Sequence, residues 1–251
     1  MAMEDPVSLL KELRDQTPVG HSKKHGGYYV VTRYEDCVVA ARDARLSSDP
    51  RDGPGPGFPF SADVPLRQPM IMDEGARHSQ FRMPLQRMFS PNYAKSLREK
   101  IHHICDKLID EFIETGEADL ADQFSIEVPA ILIAELLDLP MDRRREFQKW
   151  AAEYVATFSP ESQLHMTNAV AELYELRTAH PGDDIPSKLL AFEIDGRPIS
   201  SEEWRGLVML LILGGLDTTA NAGGYIFNMI GQSEEIRAYL TAEKANIAKA
   251  V

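Results

Sequence analysis

Six consecutive residues, Gly214-Gly215-Leu216-Asp217-Thr218-Thr219, set a carboxylate, two hydroxyls and two glycines inside an otherwise apolar run. In a helix a threonine hydroxyl can turn back to the carbonyl four residues earlier, which for Thr218 is that of Gly214. That bond competes with the helix ladder and predicts a local bulge. Each mid-helix glycine costs about 1 kcal/mol relative to alanine, and a buried carboxylate costs more unless it is paired. The expected result is a groove in the helix wall, faced by an acid and a hydroxyl. Asp217 and Thr218 are the candidate catalytic pair, and Gly214 and Gly215 shape the groove. Close approach of a second helix to the glycines is the alternative explanation of the same residues. Local rules broken at a buried point favour a functional site.

A second cluster lies upstream. His78 and Arg82 are four residues apart in a predicted helix and share one face. A hydrogen-bond donor beside a fixed cation suits a carboxylate ligand, and a solvated basic face is the alternative. His102, His103 and Cys105 make no comparable group, because adjacent helical residues point about 100° apart. No metal site is expected there. Arg143-Arg144-Arg145 reads as a solvated turn.

These residues must be positioned by helices. Ser200 and Glu203 form a Ser-x-x-Glu capping box, which opens a predicted helix over 200–231 whose middle, Leu207 to Leu213, is apolar on every face. Such a helix runs through the centre of a domain. Upstream, Ser90-Pro91 starts a predicted helix reaching Thr115, with Leu97, Ile101, Ile104, Leu108 and Phe112 on one buried face and Gly116 as its stop. Further helices are predicted over 7–15, 34–42, 126–139, 142–158, 162–178 and 187–192. Gly27 to Thr32 reads as a strand, and Ile194 to Ile199 as a turn or small hairpin. Residues 49–69 are too rich in proline and glycine for regular structure. The fold class is mainly α, with a small β element near the N-terminus.

Composition narrows the function classes. The 27 basic and 39 acidic residues give a net charge of −12, which repels nucleic acid and anionic membranes. Two cysteines, Cys37 and Cys105, cannot form a disulfide framework, so a reducing compartment is expected. The start, Met1-Ala2-Met3-Glu4-Asp5-Pro6, lacks the basic and apolar segments of a signal peptide. The charge-free apolar stretch Gly206 to Leu216 is short of the roughly 20 apolar residues of a membrane span. A soluble, cytoplasmic protein is expected.

The run Gly214 to Thr219 resembles the central-helix signature of the cytochromes P450, Ala/Gly-Gly-x-Asp/Glu-Thr-Thr. Asp73 to Arg82, followed by Phe89-Ser90, resembles that family's Asp-Pro-Pro-Glu-His-x-x-x-Arg pattern and its Phe-Ser/Thr ending. Glu74-Gly75-Ala76-Arg77 departs from it, and Pro84 puts the aim of Arg82 in question. Gly116 to Trp150 resembles a further family run, so the resemblance covers the chain in order.

The resemblance implies a bacterial-type P450 fold, truncated after the long central helix, with residues 1–251 as a single incomplete domain, its distal half. It implies a haem b cofactor whose propionates are gripped by His78 and Arg82, with Gly214 and Gly215 giving dioxygen room and Asp217 and Thr218 delivering protons. The intact protein would be a haem-thiolate monooxygenase that places one atom of O2 into an apolar small molecule, fed by a ferredoxin-type electron donor. Arg82 and Arg87 mark a basic docking helix, and Phe58, Phe60, Met70 and Leu210 are candidate substrate contacts. The family's Glu-x-x-Arg helix and cysteine-ligand loop are missing, and neither Cys37 nor Cys105 sits in a matching loop. The chain alone is therefore expected to be inactive. The alternative is a non-catalytic helical scaffold or a degenerate P450.

Overall fold

The structure, a computed structural model, describes residues 5–24, 27–49, 67–157 and 160–250. The chain forms two compact units, Met1–Ser79 and Gln80–Val251.

In the first unit, helix α1 (Pro6–Gln16) starts where Asp5 Oδ1 accepts the Ser8 N–H at 3.0 Å. Strand β1 (Val19–Ser22) pairs antiparallel with β2 (Tyr28–Val31), Val19 opposite Val31 and Ser22 opposite Tyr28. The predicted strand corresponds to β2; its partner Val-Gly-His-Ser carries no β-branched or aromatic run to announce it. Helix α2 (Tyr34–Arg42) matches its predicted span.

The polar centre of this unit is Asp73, whose side chain has no exposed surface. It takes Arg67 Nη2 at 2.6 Å, Arg77 Nε at 3.1 Å and the Met70 N–H at 3.1 Å. The last bond holds Met70 at φ +69, a left-handed conformation that bulky side chains rarely adopt.

Glu74 next door accepts from the Ser48 backbone N–H and the Ser47 hydroxyl, and these bonds lower its pKa below the ordinary glutamate value. A lowered folded-state pKa stabilises the loop above the unfolded value, near 4.3, and that contribution disappears as pH falls through the folded one. The Ser48 amide proton shift should therefore titrate with a midpoint below about 4.3. In Glu74→Gln that titration should vanish, and a midpoint at or above the ordinary value would contradict the assignment.

Helix α3 (Gly75–Met88) opens on Gly75 at φ +56 and continues through Pro84. In the second unit, α4 (Pro91–Ser96) is capped by Ser90 Oγ, which accepts the Tyr93 N–H at 3.3 Å. The single helix predicted to Thr115 is broken at Leu97, and α5 (Arg98–Asp110) stops early. The Ser96 hydroxyl donates to Tyr93 O at 2.7 Å and competes for the helix ladder at the break. At the far end the Thr115 hydroxyl does the same to Phe112 O at 2.7 Å.

A π-helical turn (Ala121–Ile126) leads into α6 (Glu127–Leu136), with Pro129 in its first turn. The π turn was not expected, and α6 ends before the predicted 139. A 3-10 turn (Met141–Arg143) precedes α7 (Arg144–Thr157), followed by α8 (Pro160–Ala179). Helix α9 (Ile185–Leu189) starts two residues before its predicted span, because Asp184 caps it by accepting the Ser187 N–H at 2.8 Å. Strands β3 (Glu193–Ile194) and β4 (Arg197–Pro198) form the expected hairpin, turning through Asp195 at φ +53 and Gly196 at φ +72.

Helix α10 (Ser201–Gln232) then runs through the unit, packed against the π turn, α6, α7 and α8. Both halves of its capping box form, with Glu203 N–H to Ser200 Oγ at 3.2 Å and Ser200 N–H to Glu203 Oε2 at 2.8 Å. Helices α11 (Glu234–Ala242) and α12 (Lys244–Ala250) follow. By length and composition alone α10 could cross a membrane. Trp204, Leu207, Val208 and Ile212 on it are fully buried within the unit, as in the core helix of a globular fold.

Candidate functional site

The groove residues lie at the middle of α10. The Thr218 hydroxyl donates to Gly214 O at 2.6 Å, the bond expected from the sequence. The expected bulge is absent: α10 is α-helical throughout Ser201–Gln232. A threonine hydroxyl can share a carbonyl with the ladder without displacing it, so the added bond need not open the helix.

The two glycines face different surroundings. A Cβ at Gly215 would lie 2.3 Å from Ile133 Cδ1 and 2.8 Å from Ile133 Cγ1, on α6. Gly223, about two turns on, would bring a Cβ 3.2 Å from Ser125 in the π turn. A Cβ at Gly214 would meet nothing within 4 Å. Helix packing thus accounts for Gly215 and Gly223 and leaves Gly214 without a packing reason. Gly214 keeps an open strip of helix clear beside a hydroxyl already oriented by its own carbonyl.

Asp217 is half-buried rather than buried, and Thr218 and Thr219 are exposed. Among the described residues the Asp217 carboxylate has no hydrogen bond or ion pair. The penalty expected for a buried acid is avoided by exposure rather than by a partner. Leu210, two turns earlier than Asp217, is half-buried.

His78 and Arg82 both lie on α3, at helical positions four apart, His78 half-buried and Arg82 exposed. Among the described residues neither side chain has an ion pair. Arg87, on the same helix, is exposed. Met70 is half-buried, while Phe58 and Phe60 lie outside the described residues.

The two cysteines lie on α2 and α5. Cys37 is exposed at the start of α2, its thiol donating to Val31 O at 3.4 Å. Cys105 is half-buried in α5, and burial raises its pKa. A metal ligand must be a thiolate, and that shift favours the thiol. The polar face offered by Gly214, Asp217 and Thr218 fits the oxygen side of a haem; no residue here fits as its thiolate ligand.

The arginine triplet is not the solvated turn expected. Arg144 Nη2 and Arg145 Nε pair with Glu127, at 3.2 and 2.5 Å, and the Glu127 side chain is only 4% exposed. Arg143 pairs with Glu146 and lies over the Phe147 and Trp150 rings. The available signal was Glu127 itself: a carboxylate at the start of an apolar run needs a cation, and three follow a short distance along the chain.

No family model matches the chain. It is 29% identical over 238 residues to a polyketide biosynthesis cytochrome P450, PksS, of Bacillus subtilis (strain 168), covering 88% of this chain and 58% of that protein. It is 30% identical over 238 residues to a steroid C26-monooxygenase of Rhodococcus jostii (strain RHA1), covering 86% of this chain and 50% of that one. The chain therefore spans about half the length of these relatives. Among solved structures, the Bacillus subtilis PksS P450 superposes with a TM-score of 0.82 at 26% identity, over 96% of this chain and 63% of that one. The biaryl-coupling P450mel 107F1 superposes at 0.80 and 26% identity, with the same coverage. Over the length it shares with them, the chain is homologous to the bacterial cytochromes P450 and has their mainly helical fold.

Proposed function

We propose that the chain is part of a haem-dependent monooxygenase that converts an apolar small molecule, O2, two electrons and two protons into a hydroxylated product and water. The observation that carries this reading is the turn of α10 from Gly214 to Thr218, where an open glycine, an oriented hydroxyl and a carboxylate without a partner among the described residues lie within one turn.

Haem, when bound, supplies the dioxygen-activating iron. The protein's own residues do the rest. Gly214 leaves space at the helix surface. The Thr218 hydroxyl spends its proton on Gly214 O, so its lone pairs turn outward and can accept a proton donor. Asp217, half-exposed and without a partner among the described residues, would pass protons from solvent along the same turn. His78 and Arg82 suit the two propionate carboxylates. Met70 and Leu210, with Phe58 and Phe60, would border the substrate.

The electron donor would be a ferredoxin-type protein meeting the basic α3 surface at Arg82 and Arg87, and the compartment the cytoplasm. The 251 residues belong on this reading to one incomplete P450 domain and by themselves should turn over no substrate. The test is the CO-difference spectrum of the reduced protein made from the complete coding sequence. A thiolate–haem Soret band is expected. Its absence from a folded, haem-loaded protein would sink the proposal in favour of a non-catalytic helical scaffold.

A further inference from the structure

The geometry points to Gln80 as a positioning residue that locks α3 to the β3–β4 hairpin and, through that hairpin, to the first turn of α10. Gln80 Nε2 donates to Asp195 Oδ1 at 3.2 Å, and the Asp195 backbone N–H donates to Gln80 Oε1 at 2.6 Å. One side-chain amide thus makes both bonds to a single residue 115 positions away. Asp195 is itself fixed, as the left-handed corner of the hairpin at φ +53.

Two residues on, Arg197 reaches the start of α10. Its Nη1 and Nη2 donate to the two carboxylate oxygens of Glu203, each at 2.9 Å. Glu203 is 7% exposed and also accepts the Ser200 N–H at 2.8 Å, as half of the capping box. A planar fork of this kind fixes orientation as well as distance. The chain of contacts runs Gln80, Asp195, Arg197, Glu203, and it joins α3 to α10 through polar geometry rather than through interchangeable apolar contacts.

Apolar packing alone sets the rotation of α3 loosely. Its buried residues in this unit are Phe81 and Leu85, one turn apart on a single face. The Gln80 amide adds a directional constraint beside that face. Arg82 stands two residues further, about 200° round the helix from Gln80. Holding Gln80 against the hairpin therefore aims Arg82 away from it. The purpose given to this aim, presenting Arg82 to a cofactor carboxylate, rests on the haem reading; the link itself does not.

Exchanging the polarity of the contact tests it. Gln80→Glu removes the donor to Asp195 and sets two carboxylates together. Asp195→Asn keeps an acceptor for Gln80, and asparagine tolerates a positive φ. In the double variant the introduced carboxylate can accept both the residue 195 backbone N–H and the new side-chain amide. Amide hydrogen exchange of the 251-residue chain is the readout.

Gln80→Glu should speed exchange in residues 80–88 and 193–199 by about tenfold, as expected for losing one to two net hydrogen bonds, and leave α6 unchanged. Asp195→Asn should stay close to the parent, and the double variant should return to it. No change in Gln80→Glu, a uniform acceleration across the chain, or failure of the double variant to recover would each overturn the link.

In the haem-loaded protein the rate of haem loss should follow the same pattern. Unchanged haem loss alongside an intact exchange cycle would overturn the cofactor purpose and leave the link standing. A protein from the complete coding sequence that takes up no haem would defeat the functional reading, with the exchange cycle still deciding on Gln80.

Discussion

Replacing Arg177 with leucine should cost about 3–5 kcal/mol of unfolding free energy, the range for removing one partner of a buried ion pair. The Arg177 side chain is 8% exposed. Its Nη2 donates to Asp138 O at 2.9 Å and to Asp138 Oδ2 at 2.5 Å, and its Nε lies 3.2 Å from Asp184 Oδ2. One guanidinium on α8 thus ties the end of α6 to the cap of α9. The Asp138 carbonyl needs the tie, because Asp138 leaves the helix at φ +49.

Asp184 suffers most from the loss. Its side chain is 7% exposed and already accepts from the Ser187 N–H and hydroxyl, each at 2.8 Å, so without Arg177 its charge keeps hydrogen bonds and loses its cation. Arg177→Lys restores the charge and not the fork, and should recover only part of the stability. Urea unfolding of the three proteins reads the difference directly as a shift in midpoint at constant slope. A leucine variant within about 1 kcal/mol of the parent, the size of an exposed pair, would show that the cluster is solvated.

Features written in local signals were legible from sequence. The Ser200/Glu203 capping box, the Ser90-Pro91 start, α2 and the Asp195-Gly196 hairpin rest on residues a few positions apart, and each formed where its signal lies. The Thr218 bond to Gly214 was equally local, and it formed. Features that depend on a distant partner were not legible. The Arg177–Asp138 pair and the Gln80–Asp195 link join residues 39 and 115 positions apart. Nothing in the Ile126 to Leu139 periodicity announces the π turn before α6. Among the candidate site residues the two glycines were seen as one feature; only the position of Ile133 separates them.

That separation predicts opposite signs at adjacent positions. Gly214→Ala should stabilise the chain by up to about 1 kcal/mol, the helix-propensity gain of alanine over glycine, because its Cβ meets nothing within 4 Å. Gly215→Ala brings the same gain and a collision with Ile133 at both Cδ1 and Cγ1. Rotation about χ2 can move Cδ1 aside. Cγ1 is placed by χ1, which for isoleucine in a helix is held near a single rotamer, so α10 or α6 must shift. Overpacking of this kind costs about 1–3 kcal/mol, which outweighs the propensity gain.

Ile133→Ala removes both colliding atoms. In that background Gly215→Ala should reverse sign and become stabilising by up to about 1 kcal/mol, while the effect of Gly214→Ala stays as it was. Four unfolding midpoints for the Gly215/Ile133 cycle settle the matter: a coupling below about 0.5 kcal/mol, as for sites that share no contact, would mean that Ile133 does not set the approach of α6 to α10. The stability gain at Gly214 has a functional counterpart on the haem reading. A methyl there fills the strip beside the Thr218 hydroxyl, so the more stable variant should be the one that loses oxygenation, as expected where a glycine is kept against its own propensity for the sake of a site.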